Sequence, residues 1–155
     1  MAKSLNNKVL DDLNWHILEE LQQNSRLSTV EIGRRIGLSA PAVADRILKL
    51  EELGYIKGYQ TLLDLDKMGL TIRALINFRT TQLKHTEMIR MIDAIPEVTE
   101  WHTITGNYCI MLKVAVSSSE RLAALIEHLE EFGETNTSLI LAQNPDRKII
   151  TIPST

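Results

Sequence analysis

The chain has 155 residues, 44% of them hydrophobic, a mean hydropathy of −0.07 and a formal net charge of −3 at pH 7. That suffices for a packed core in one large or two small domains, and it excludes a polycation that would hold nucleic acid by bulk charge. The single cysteine, Cys109, excludes an internal disulfide framework; no run approaches the roughly twenty apolar residues of a membrane span, and the N-terminus lacks the apolar run of a signal peptide, so a reducing cytoplasm is expected.

Residues 1–8 are mostly polar. Asp11 or Asp12 caps a first helix to about Gln23, with Leu10, Leu13, Ile17, Leu18 and Leu21 as its apolar stripe. Ser28 and Glu31 are spaced as a capping box, in which each side chain satisfies a backbone N–H of the other residue. The second helix carries Val30, Ile32 and Ile36 and ends at Gly37, where left-handed backbone is cheap. Ser39 caps a third helix, and Pro41 sits in its first turn, where the missing N–H costs little. Val43, Ile47, Leu50 and Leu53 give that helix an apolar face, and Gly54 stops it. Helix, glycine turn and helix over residues 28–53 make a helix-turn-helix signature, whose second helix would enter the DNA major groove N-terminus first. Tyr55–Gln60 reads as a short wing strand carrying Lys57. The same spacing also fits an ordinary helical hairpin in a core.

Between Arg26 and Lys57 six Lys/Arg face four Asp/Glu, a surplus of +2. One such unit would bind DNA feebly, because phosphate neutralisation dominates affinity, so several units acting together are expected. Arg34, Arg35, Arg46, Lys49 and Lys57 are the candidate phosphate or base contacts. Ser39, Ala40, Pro41 and Ala42 lead into the groove, with Asp45 on the same face. The competing reading is a solvated charged face. The start of the helix is poor in Asn, Gln and Arg, so DNA shape and bending should carry much of the specificity.

Thr61–Leu63 is a strand candidate, and Asp64–Gly69 a turn or half-helix linker. The expected organisation is a DNA-binding domain over residues 1–59, a linker over 60–70 and a second domain over 71–155. Ile72, Ala74, Ile76 and Phe78 alternate with polar residues as in a strand. Met88, Met91, Ile92 and Ile95 mark a helix closed by Pro96. Val98–Thr105 and Tyr108–Val116 flank Gly106-Asn107 as a hairpin, which would pair Thr103 with Ile110, Trp101 with Leu112 and Glu100 with Lys113. Tyr108, Ile110, Leu112 and Val114 would face the helices, and Ile104, Cys109 and Met111 an open sheet face covered by another subunit. Ser118 or Ser119 caps a helix bearing Leu122, Leu125, Ile126 and Leu129, Thr135–Ala142 is a further strand, and Lys148–Ile152 an edge strand ended by Pro153. Strand, helix, strand, strand, helix, strand is the ferredoxin-like order, so the fold class is α+β.

Three blocks carry a family resemblance: LDDLNWHILEELQQNSRLSTVEIGRRIGLSAPAVADRILKLEELGYIKGY, VTEWHTITGNYCIMLKVAV and ETNTSLILA. Together, from about Leu10 to Lys148, they resemble the Lrp/AsnC family of feast/famine transcriptional regulators. The resemblance implies an N-terminal winged helix-turn-helix joined by a linker strand to a C-terminal ferredoxin-like (βαββαβ) domain that binds amino acids. It implies dimers through the C-terminal sheets, often assembled into octamers, with effector sites where neighbouring dimers meet. Those sites use the hairpin near Gly106 and polar residues of the last strand. On that footing Thr103, Ile104, Thr105, Gly106, Asn107, Tyr108, Cys109, Thr135, Asn136, Thr137 and Ser138 are the candidate effector contacts. A plain hairpin with β-prone threonines is the competing reading.

The sequence departs from the family pattern twice. Asn14 replaces a frequent Asp and is expected at a cap or surface contact. Cys109 replaces a frequent Asp, which points to a neutral effector, leucine or methionine ahead of lysine or arginine. Neither catalysis by Cys109 and His102 nor a metal site is expected, since no third group orients the histidine and His85 and His128 lack ligand spacing. The function expected is a non-enzymatic, amino-acid-responsive regulator of double-stranded DNA without other cofactors. The alternative is a small-molecule-binding assembly module without DNA function.

Overall fold

The computed structural model describes residues 10–81, 84–144 and 148–151. The chain forms two compact units. It enters the second at Leu62 and leaves it after Asn144, and the C-terminal residues 148–151 belong to the first.

The first unit holds α1 (Asp12–Gln23), α2 (Thr29–Ile36) and α3 (Ala40–Glu52). Of the two candidate caps, Asp11 is used: its Oδ1 accepts from Asn14 N at 2.8 Å. The capping box closes both ways, with Glu31 N donating to Ser28 Oγ at 3.2 Å and Ser28 N to Glu31 Oε2 at 2.8 Å. Gly37 ends α2 at φ 75°, and Ser39 caps α3. Ile17, Ile32, Val43 and Leu50 are fully buried where the helices meet. Leu53, expected on the apolar face, lies half outside at 52% exposure because the helix has ended there. Gly33 is buried at the crossing; a Cβ there would stand 2.4 Å from the Leu38 carbonyl oxygen.

The expected wing strand is absent. Tyr55 N and Ile56 N both donate to Leu50 O, at 2.9 and 3.1 Å, which folds the chain back and packs Tyr55 and Ile56 on the helical core. Tyr55–Gln60 and Thr61–Leu63 form no strand, and none of the described strands pairs with them. Asp64–Gly69 is a turn, as expected, closed by Leu70 N donating to Leu65 O at 2.8 Å.

The second unit runs β1 (Ile72–Arg79), α4 (His85–Asp93), β2 (Val98–Thr103), β3 (Ile110–Val116), α5 (Ser119–Glu130) and β4 (Glu134–Leu139). Its antiparallel sheet has the order β2-β3-β1-β4. Ala74, Ile76, Phe78, Ile110, Leu112, Val114 and Val116 form its buried face, under Met88 and Ile92 of α4 and Leu122, Leu125 and Leu129 of α5. The hairpin keeps the expected pairs, Thr103 with Ile110 through Glu100 with Lys113. Its strands are shorter, leaving residues 104–109 as the connection, bridged by Ile104 N donating to Cys109 O at 3.0 Å. Gly133 lets α5 turn tightly into β4: a Cβ there would meet the Arg79 carbonyl oxygen at 2.2 Å.

Two further expectations fail. The open sheet face is mixed rather than apolar. By register it carries Leu75 and Met111 among Arg73, Asn77, Glu100, His102, Lys113, Asn136 and Ser138. Residues 148–151 join no sheet; Ile150 pairs with the Gln22 side chain instead. Ile152 and Pro153 lie outside the described residues.

Candidate functional site

The first turn of α3 is presented outward. Ser39, Pro41 and Asp45 are exposed, Ala40 and Ala42 half-exposed, and Ser39 Oγ accepts from Ala42 N at 3.4 Å. The buried Val43 and Leu50 fix which side turns away from α1 and α2. Arg34, Lys49 and Lys57 are exposed and make no ion pair among the described residues.

Two predicted contact residues also pair with α1. Arg46 points back to α1, where Nη1 donates to Asp11 Oδ1 and Oδ2 at 2.9 and 2.8 Å and to Asn14 Oδ1 at 2.9 Å. Burial raises the Asp11 carboxyl. The Arg46 hydrogen bond, the Asn14 amide and the guanidinium charge outweigh it and hold the group below its ordinary value. Arg35 of α2 pairs with Glu20 of α1. The reason is geometric: a three-helix unit must tie its helices together, and these long side chains reach the acidic residues of α1. Of the two expectations for Asn14, the cap contact holds, since its N–H donates to the Asp11 cap, and the surface one does not. Asn14 is 6% exposed and receives Arg46. Asp11, Asn14 and Glu20 are therefore part of what sets the pose of α2 and α3. Sequence reading missed this role; the only signal was a run of acidic and amide residues in α1.

The candidate effector residues separate into two groups. Residues 103–109 lie at the β2–β3 end, with Thr105, Gly106 and Asn107 exposed, Ile104 and Tyr108 half-buried and Gly106 at φ 120°. Thr135, Asn136, Thr137 and Ser138 lie on β4. β2 and β4 are opposite edges of the sheet, about 14 Å apart at three strand spacings. Thr103 on β2 is thus at the far edge from β4, whereas Cys109, whose N–H donates to Phe78 O of β1, lies about two strand spacings from Thr135. Within β4 the residues also part. Thr135 and Thr137 face the helices, with Thr135 Oγ1 donating to Glu130 Oε1 at 2.8 Å, whereas Asn136 and Ser138 face the open side. Thr137 Oγ1 is buried with no hydrogen-bond partner among the described residues.

Cys109 is a second correction. It was expected on the open face, but its sulfur lies 3.4 Å from Phe78 O and 4.0 Å from Met88 Sδ of α4, against the core. It stands in the connection before β3, where strand alternation does not apply. His102 Nε2 lies 2.9 Å from Glu100 Oε1, away from that sulfur's partners.

Comparison with known proteins covers both units. Residues 10–51 match the family model of the AsnC-type helix-turn-helix domain, and residues 73–149 that of the Lrp/AsnC ligand binding domain. The chain is similar to the HTH-type transcriptional regulator LrpB of Bacillus subtilis, 35% identical over 124 residues, spanning 80% of this chain and 83% of that protein. The solved structure of B. subtilis LrpC superposes with a TM-score of 0.84 at 31% identity, covering 89% of this chain and 99% of that one. A Neisseria meningitidis transcriptional regulator solved as its L-Met complex shares the fold, with a TM-score of 0.82 at 23% identity over 93% of this chain and 96% of that one.

Proposed function

The chain belongs to the Lrp/AsnC family of transcriptional regulators, whose members matched here are DNA-binding regulators and not enzymes, and from that premise we propose how it acts. A homo-oligomer, a dimer at least and an octamer when fully assembled, sets several copies of α3 into successive major grooves of double-stranded DNA in the cytoplasm. No cofactor is needed beyond an amino-acid effector.

The exposed first turn of α3 is the observation that carries the DNA reading. Pro41, Ala40 and Ala42 offer apolar contact but no bidentate donors, so discrimination falls on DNA shape and bending. With Arg46 and Arg35 tied to α1, phosphate contact falls to Arg34, Lys49 and Lys57. So few cations per copy favour assembly.

The effector reading rests on the make-up of the two groups. Residues 103–109 and 135–138 contain no charged side chain. A lysine or arginine ligand would find no counter-charge among them, whereas an apolar amino acid needs only hydrogen bonds at its ammonium and carboxylate. In this reading a neighbouring subunit completes the site, which is supported by the placing of β2 and β4 at opposite edges of the sheet. The same fold holds L-Met in the Neisseria meningitidis regulator.

Fluorescence anisotropy on DNA upstream of its own gene, with competitor DNA, tests the first half; equal affinity for competitor defeats it. Calorimetric titration with the twenty amino acids tests the second, with heat expected from leucine or methionine. Binding of lysine or arginine alone would refute the preference.

A further inference from the structure

The match to the ligand-binding domain extends to residue 149, yet residues 148–151 cluster with the DNA-binding unit. One side chain ties them to α1. Gln22, on the exposed surface of the last turn of α1, turns its carboxamide to Ile150: Nε2 donates to Ile150 O at 3.0 Å, and Oε1 accepts from Ile150 N at 2.9 Å. One donor and one acceptor exchanged with one residue's backbone is what an antiparallel strand neighbour would supply. Nε2 also donates to Leu18 O at 3.2 Å, which steadies the carboxamide against its own helix. The β-branched Ile149, Ile150 and Thr151 favour the extended backbone this pairing needs.

We propose that Lys148–Thr151 is a strap, the closing segment of the ligand-binding domain docked on α1 through Gln22. The chain then passes between the two units twice, once through residues 62–71 and once after β4. A second crossing, closed by hydrogen bonds at Gln22, removes conformational freedom that a single linker would leave to the DNA-binding domain. It also gives the end of β4 a route to α1 that bypasses the linker, covalent as far as Ile150 and hydrogen-bonded at Gln22. Both hydrogen bonds are open to water and individually weak, so the strap releases and re-forms readily.

Amide hydrogen exchange on the full-length protein tests this. The Ile150 amide is expected to be protected, and Gln22→Ala to raise its exchange about tenfold while the amides of α2 and α3 keep theirs. Alanine at this exposed helix position favours the helix, so unfolding of α1 does not confuse the result. An unprotected Ile150 in the unaltered protein, or protection that survives Gln22→Ala, would overturn the proposal.

Discussion

Arg46 shows that a residue's type does not give its partners. A cation on the second helix of a helix-turn-helix invites a DNA role, but here the guanidinium closes three hydrogen bonds onto α1. Arg46→Ala is expected to destabilise the first unit by about 1–2 kcal/mol, between the worth of an exposed ion pair and that of a charged hydrogen bond to a buried amide. Any loss of DNA affinity should follow that unfolding. Lys49→Ala is expected to leave the urea midpoint in place and to weaken DNA binding evenly across sequences, lowering the salt slope by about one. A stable Arg46→Ala protein with lost base preference would restore the base-reading role. The same cluster sets an acid response. Asp11 has a folded value below its ordinary 3.8, so its contribution is present above that value and is lost as pH falls through the folded one. Thermal unfolding of the unaltered protein should soften as pH falls below 3.8, and Arg46→Ala should soften less over that range.

At the scale of elements, the first unit centres on four fully buried apolar side chains among the described residues. Each contributes about 1.5–3 kcal/mol, so caps and close crossings of about 1 kcal/mol decide whether the helices hold. Ser28→Ala removes one side of the capping box and is expected to cost about 1 kcal/mol. Gly33→Ala gains about 1 kcal/mol of helix propensity but drives a methyl against the Leu38 carbonyl, and the clash should prevail with a net loss of about 1–2 kcal/mol. Denaturant melts of the two variants check both values. A stabilised Gly33→Ala would mean that the turn yields more easily than its geometry implies.

For the whole molecule, the open sheet face and the split effector residues lead to the same expectation. Leu75 and Met111 lie half-buried on that face within a polar surround, a pattern suited to an interface that must also tolerate water. Light scattering at micromolar concentration is expected to give a dimer or larger assembly. Leu75→Glu with Met111→Glu should reduce it and weaken DNA binding in step, because each copy alone carries few phosphate contacts. A monomer that still binds DNA tightly would remove the reason for assembly.

The sequence by itself determined what local rules control. Capping residues and glycines marked the helix ends, periods of two and near four separated strands from helices, and a chain-long motif set identified the family. The hairpin register was legible because alternation fixes it once one pair is chosen. Only the tertiary structure decided which polar groups are spent inside the molecule. Arg35, Arg46, Asn14 and Gln22 have partners 15, 35, 32 and 128 residues away, and no local spacing encodes such pairs. The wing and the terminal edge strand failed for a related reason: strand propensity needs a free edge at the right place, and for Tyr55–Gln60 and Lys148–Thr151 helix backbone and a glutamine side chain took that part instead.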